Sequence, residues 1–204
     1  PRPTSIADSP NAIVRATDVI RAIEAWAERY EVEHRYETRL GTVVPKVSVG
    51  AIRGGVPYKI TKAPAVCQLY VDARITPEQT ADSVRTELDA VLKATGIPYE
   101  LEPFAYRRAF EAEGTRELEE AVKRAHRTVF GDEPGEPIPA ITSMWRDSNV
   151  FIEAGIPTVC YGPGASTGGG GKYAMSLDSM TNAARVYALI AMELCGIADG
   201  PSCP

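Results

Sequence analysis

The chain has 204 residues, of which 44% are hydrophobic and 24% charged, enough apolar material for a packed core and too much for a disordered segment. Its 22 Lys and Arg against 27 Asp and Glu leave a net charge of -5, which excludes a protein that holds nucleic acid by neutralising phosphates. The most apolar stretch, Val186 to Ala198, is broken by Glu193 and falls short of the about 18 to 20 residues that cross a bilayer.

The sequence opens on Pro1 without a charged-then-apolar leader, and is expected to be a processed or excised segment. Cys67, Cys160, Cys195 and Cys203 lie far apart and form no CxxC pair. That usage points away from zinc knuckles and disulfide scaffolds and towards a reducing, cytoplasmic compartment.

Ser9 is placed to cap a first helix, with Pro10 at its first position and Ile13, Ala16, Ile20, Ile23, Ala27 and Tyr30 recurring every three or four residues. Gly41 to Pro45 reads as a turn. Val47, Val49 and Ala51 then alternate with polar or small residues as a half-buried strand does, up to Arg53-Gly54-Gly55. Cys67, Leu69, Val71, Ala73 and Ile75 form the cleanest period-2 run. Thr76-Pro77-Glu78-Gln79 has the spacing of a capping box, ahead of a helix with Ala81, Val84, Leu88 and Val91 inward that Gly96 and Pro98 stop. Tyr99 to Tyr106 reads as a further strand. The order helix, strand, strand, helix, strand is a split β-α-β unit without its opening strand, with a boundary near Arg107.

Thr115 is expected to cap the next helix, with Leu118, Val122, Ala125 and Val129 inward, Gly131 at its end and a loop to Pro139. Asp147 can cap a short helix through Ala154. Thr158 to Tyr161 reads as a buried strand, and a last helix from about Ser179 to Cys195 carries Met180, Ala183, Val186, Tyr187, Ile190 and Leu194 on one face before Gly196. A segment of this kind completes an α/β sheet whose other strands come from elsewhere.

The run Gly162-Pro163-Gly164-Ala165-Ser166-Thr167-Gly168-Gly169-Gly170-Gly171-Lys172 follows a strand, as phosphate loops do. Its spacing does not fit: Ser166 stands where a Walker loop needs Gly, Tyr173 where it needs Ser or Thr, and Thr167 breaks a dinucleotide fingerprint. A substrate-facing or solvent loop fits the glycines better. His34 and His126, the two histidines, sit among Arg and Glu and read as surface residues; with no HExxH and no GxSxG elbow, neither a metal centre nor a serine triad is predicted. In Met144 to Phe151, Arg146 and Asp147 stand at a helix start, where anions bind. Two readings stay open for them: a cap and a structural ion pair, or a substrate contact.

Four pieces taken in order resemble the M20 metallopeptidases and their amidohydrolase relatives, such as acetylornithine deacetylase, succinyl-diaminopimelate desuccinylase, carboxypeptidase G2 and aminoacylase. "RPTSIADSPNAI" resembles the segment after that family's lid His, "VGAIRGG" and "PAVCQLYVDARITPEQ" its lid strands, and "RDSNVFIEAGIPTVCYGPG" its late Asp, Gly-Ile-Pro and Gly-Pro-Gly block. The resemblance implies that residues 1–106 are an α+β lid, ferredoxin-like with two helices on an antiparallel sheet and lacking its opening strand. Residues 107–204 would be an α/β segment completing the sheet of the catalytic domain. It implies hydrolysis of an N-acyl amino acid or small peptide by metal-activated water, zinc (one or two ions) in the intact protein but not in this chain alone, and a homodimer through the lid. The dimer surface would be an edge strand or the helix bearing Ile13 and Trp26. Asp147 matches the late-motif Asp, Gly162, Pro163 and Gly164 match the loop bordering the substrate, and Gly54 and Gly55 match the lid turn. Where members place a metal-binding His after Gly-Pro-Gly, this chain has glycines, Lys172 and Tyr173. The alternative is a dimerisation and ligand-binding module without chemistry.

Overall fold

A computed structural model describes residues 11–135, 146–164, 166–168 and 172–196. Its described residues fall into two compact units, 11–111 and 112–135 with 146–196.

In the first unit, α1 (Ala12–Glu33) is capped by Asn11, whose side chain accepts from the Ile13 amide at 3.0 Å. The expected cap, Ser9, and Pro10 lie outside the described residues. Ile23, Trp26, Ala27 and Tyr30, spaced at three and four, form the buried stripe, whereas Ile13 stays partly exposed. After α1 the chain makes a hairpin, β1 (Tyr36–Thr38) with β2 (Gly41–Val43), rather than a turn from Gly41 to Pro45. Arg39 and Leu40 close it, and Gly41 takes φ 131°, a conformation open to glycine.

β3 (Val47–Gly54) pairs antiparallel with β4 (Cys67–Ala73). Val49 faces Val71, but Ala51 faces Tyr70 and Ile52 faces Leu69, because a bulge shifts the register between Val49 and Ala51. One extra residue turns the following side chains over, so Ala51 does not share the face of Val47 and Val49. β4 keeps strict alternation along its length. Gly54 has a structural reason to lack a side chain: an added Cβ would stand 3.1 Å from Cys67 Sγ and 3.2 Å from Ile13 Cγ1. Gly55 next to it takes φ 71°.

α2 (Ala81–Ala94) starts later than Thr76-Pro77-Glu78-Gln79 predicts. Its capping box is Thr80 with Ser83. Gln79 does reach back to the Thr76 amide, at 3.0 Å, yet that turn is buried and serves the core instead. The Gln79 Nε2 donates to Tyr30 Oη at 2.8 Å, and Tyr30 Oη donates to the Arg74 carbonyl at 3.1 Å. This polar chain ties α1, the end of β4 and the approach to α2 inside one hydrophobic cluster of Ile23, Trp26, Ala27, Tyr30, Val47, Val84, Leu88 and Leu92. Tyr99 and Leu101 pack against that cluster, but 99–106 forms no strand. Pro98 and Pro103 interrupt its donors, and Tyr99 Oη is instead tied to Asp89 Oδ1 at 2.5 Å. The unit is α+β: two helices with small antiparallel sheets.

Tyr30 yields a direct prediction. Burial, above all, pushes its phenol from 10.0 up to about 12. The folded value lies above the unfolded one, so the contribution is intact below pH ~10 and is lost as pH rises towards ~12, by about 1.4 kcal/mol per unit. Tyr30→Phe is expected to remove that alkaline step and to cost about 1–3 kcal/mol at neutral pH, since Gln79 and the Arg74 carbonyl lose a buried partner. Urea unfolding at pH 8 and near pH 12 measures both.

In the second unit, α3 (Arg116–Phe130) ends in left-handed Gly131, whose amide donates to the Arg127 carbonyl at 2.9 Å. Thr115 precedes it without a side-chain cap bond to backbone, its hydroxyl donating to Glu119 Oε1 at 2.6 Å. α4 (Ser148–Glu153) follows Asp147, which likewise makes no cap bond. Asn149 Oδ1 instead accepts from the Arg146 amide at 3.1 Å. Residues 158–161 form no strand among the described residues, since an extended segment becomes one only when a neighbour pairs with it. The glycine-rich run contains a hairpin, β5 (Ser166–Gly168) with β6 (Lys172–Ala174), not a plain loop. α5 (Leu177–Cys195) begins at Ser176, whose hydroxyl accepts from the Ser179 amide at 3.0 Å. Its buried residues are Ala183 and Val186, and it packs on α3, whose buried residues are Ala121, Val122 and Ala125. Met180, Tyr187 and Leu194, placed inward by periodicity, remain exposed.

Candidate ligand cleft

The second unit holds a cleft of about 320 Å³ between the last turn of α3, the segment Tyr161–Gly164 and the first turns of α5. The packing of α3 on α5 sets its walls: small buried residues let the helices approach closely, and the larger side chains at their ends stand around the gap.

Gly162, Pro163 and Gly164 line this cleft. Gly162 is a close-approach position, with the Tyr187 hydroxyl 3.4 Å from where its Cβ would stand; Tyr187 Oη donates to the Tyr161 carbonyl at 2.6 Å and so anchors the segment to α5. Arg146 and Asp147 are exposed at the start of α4 and do not line the cleft. A sulfur-mediated contact, Cys160 Sγ to Ser148 Oγ at 3.7 Å, links α4 to the strand-like segment.

His126 is the residue that sequence reasoning put on the surface and the structure puts in the cleft. Its side chain is 17% exposed. The ring stacks on Phe130 with centroids 4.5 Å apart and meets Tyr161 edge-on at 5.9 Å. Nδ1 is 2.7 Å from Tyr161 Oη, and Nε2 is 3.3 Å from Asp132 Oδ1. The helical spacing of His126 with Val122 and Phe130 was a usable signal, but charged neighbours on both sides masked it. Burial first, then the nearby Tyr187 and Asp132, push the Tyr161 phenol above its ordinary 10.0, so it stays protonated at neutral pH.

His34 is likewise not a free surface group. At the end of α1 its Nε2 lies 3.0 Å from Glu87 Oε1, and Glu87 Oε2 accepts from Trp26 Nε1 at 3.2 Å. The pair clamps α1 to α2.

Zinc, the metal that the resemblance implies, needs three or four such ligands converging on one point. Among the described residues no three His, Cys, Asp or Glu side chains come together as a metal site needs. His126 with Asp132 supplies two donors only, already engaged with each other. These residues do not fit the metal.

Residues 7–100, a little under half of the chain, match the M20_dimer family model, described as a peptidase dimerisation domain. Over that span the chain is similar to the dimerisation domain of peptidases. It covers α1, β3, β4 and α2, and the α+β arrangement of the first unit agrees with it. An M20 dimerisation domain points to self-association and to a peptidase or amidohydrolase context. Among the described residues no helix is long and apolar enough to cross a membrane.

Proposed function

We propose that this chain supplies the dimerising lid and one wall of the substrate site of an M20-type amidohydrolase, which cleaves the amide bond of an N-acyl amino acid or small peptide. The observation that carries this reading is the dimerisation-domain match over residues 7–100. Residues 107–204 are assigned to the C-terminal part of the catalytic domain, with Gly162, Pro163 and Gly164 bordering the substrate and Arg146 and Asp147 as further contacts. Zinc belongs to the intact enzyme, and the described residues of this chain are not assigned as its ligands.

The test is to express the product of the full gene and to follow amino-acid release from a panel of N-acyl amino acids and dipeptides. Release that a chelator stops and added zinc restores is the expected result. Release unaffected by chelator, or none with zinc, would overturn the reading and leave the second one, a binding module without chemistry.

The self-association surface is assigned to the sheet of the first unit. β3 and β4 pair only with each other among the described residues, so each keeps an outer edge that can take a strand. Their connection is unusually apolar for an exposed segment, with Tyr58 at 86% and Ile60 at 88% exposure. Trp26, by contrast, is buried and bonded to Glu87, so the α1 face that carries it is not free to dock.

A further inference from the structure

We infer that Tyr161 is a site of oxidative modification: a one-electron oxidising radical converts it to a tyrosyl radical while its phenolic proton passes to His126, and nitrogen dioxide then fixes it as 3-nitrotyrosine. The inference concerns side chains of the second unit alone and does not depend on the hydrolase reading.

A phenol that loses an electron but keeps its proton becomes a strongly acidic radical cation. The easier route lets electron and proton leave together, and that needs a base already hydrogen-bonded to the oxygen. Tyr161 has one: its Oη lies 2.7 Å from His126 Nδ1. Nε2 of the same ring faces the Asp132 carboxylate at 3.3 Å, an acceptor without a proton to give, so Nε2 carries hydrogen and Nδ1 of the neutral ring accepts from the phenol. When the proton crosses, the imidazolium keeps both bonds, donating from Nδ1 to the radical oxygen and from Nε2 to Asp132, as a carboxylate steadies the histidine base of a hydrolytic triad. Stacking on Phe130, with centroids 4.5 Å apart, holds the ring in place. Burial, above all, keeps the phenol's ionisation above 10.0, so at neutral pH the proton is still there to be passed.

The oxidant takes one electron from the ring and leaves as its reduced anion, nitrite where nitrogen dioxide is the oxidant. The O–H bond of Tyr161 breaks and an N–H bond at Nδ1 forms. A second nitrogen dioxide bonds to the ring carbon beside the oxygen, the hydrogen on that carbon moves to the oxygen, and the imidazolium returns its proton to water. The cleft of about 320 Å³ that Tyr161 lines admits a triatomic radical.

Exposure alone would select another residue. Tyr58 is 86% exposed, yet no side chain among the described residues accepts from its hydroxyl. Tyr36 and Tyr99 are bonded to carboxylates, Glu111 at 3.0 Å and Asp89 at 2.5 Å, but a carboxylate is a weaker base than an imidazole by about two pK units. Bonding to Lys93, first, then to Tyr99, holds Asp89 lower still. Tyr30 is fully buried, and its hydroxyl donates to the Arg74 carbonyl, a very weak base. Among the described residues, Tyr161 is the tyrosine that joins an imidazole acceptor to a ring bordering open space.

The experiment treats the 204-residue chain at low conversion with peroxynitrite in bicarbonate buffer, a source of nitrogen dioxide and carbonate radicals, either of which can take the electron. Mass spectrometry of proteolytic peptides then counts 3-nitrotyrosine at each position. Tyr161 is expected to be nitrated about tenfold more than Tyr58, the factor that one charge-assisted hydrogen bond formed in the transition state supplies. In His126→Gln the yield at Tyr161 is expected to fall to that of Tyr58 or below, with Tyr36 and Tyr99 unchanged. Tyr58 ahead of Tyr161 in the unaltered chain, or Tyr161 still ahead in His126→Gln, would overturn the inference. Should the variant fail to fold, pH decides in the unaltered chain. The imidazole faces Asp132 from the following loop, Tyr161 from its own segment and Phe130 on the same helix. Tyr187 of α5 lies behind Tyr161, and the adjacent Arg127 is paired with Glu133 at 2.8 Å. Between about pH 8 and about pH 5 the proton that changes in this group is that of the histidine. The ratio of Tyr161 to Tyr58 nitration is expected to fall towards unity over that interval, as a proton fills Nδ1; a ratio that does not move would count equally against the inference.

Discussion

Trp26→Ala is expected to lower the stability of the first unit by about 3–5 kcal/mol, the largest loss from any single truncation there. Trp26 is 3% exposed, meets Tyr30 edge-on with ring centroids 5.1 Å apart and donates to Glu87 at 3.2 Å. Truncation empties the centre of the cluster that joins α1, β3 and α2, and it also removes a donor, beside His34, that holds the Glu87 carboxylate. The conservative variant separates these effects. Trp26→Phe keeps most of the apolar area and loses the indole donor, and is expected to cost about 1–2 kcal/mol. Hydrogen exchange at α1 and α2 amides, with urea unfolding followed by circular dichroism, measures both. Equal losses for the two variants would show that the Glu87 bond, not the packing, holds the helices.

Val186→Asp is expected to separate α3 from α5 and to destabilise the second unit by at least about 3 kcal/mol. Val186 is fully buried, and the other buried residues of α3 and α5, Ala121, Val122, Ala125 and Ala183, offer a carboxylate neither a cation nor a donor side chain. The group must either neutralise or expel the helix. Hydrogen exchange along α5 is expected to rise to the level of an unpacked helix. Val186→Ala shrinks the side chain without introducing charge and is expected to leave α5 docked.

How much of this was legible in the sequence varies with the kind of interaction. The helices α1, α2, α3 and α5 could be read because their buried faces repeat at three and four residues, and β4 because it alternates without interruption. β3 was only half legible: the bulge at Gly50 reverses the facing of Ala51 and Ile52, and a glycine among small residues does not announce a register shift. Helix starts were misjudged by a few residues wherever two capping patterns stood side by side. Ser9 competes with Asn11, and Thr76 with Thr80, and the choice depends on tertiary bonds such as that from Gln79 to Tyr30. The segments 99–106 and 158–161 have strand composition but no pairing partner among the described residues, and pairing is not a local property.

The cleft was legible in part. Gly162, Pro163 and Gly164 were singled out and do line it, whereas Arg146 and Asp147 do not. His126 went unrecognised because its role depends on Tyr161, thirty-five positions away, and on Asp132 beyond the helix end. Two charged residues on each flank, Lys123 and Arg124 before it and Arg127 and Asp132 after it, gave it the look of a solvated face. Helical phase, not composition, was the better guide: Val122, His126 and Phe130 share one stripe.

The central proposal is that the first unit, which is similar to a peptidase dimerisation domain, self-associates. Sedimentation of the chain across micromolar concentrations tests it most directly. A species of twice 22.0 kDa that dissociates when Ile60 is replaced by Lys is the predicted result; a single 22.0 kDa species at every concentration would contradict it.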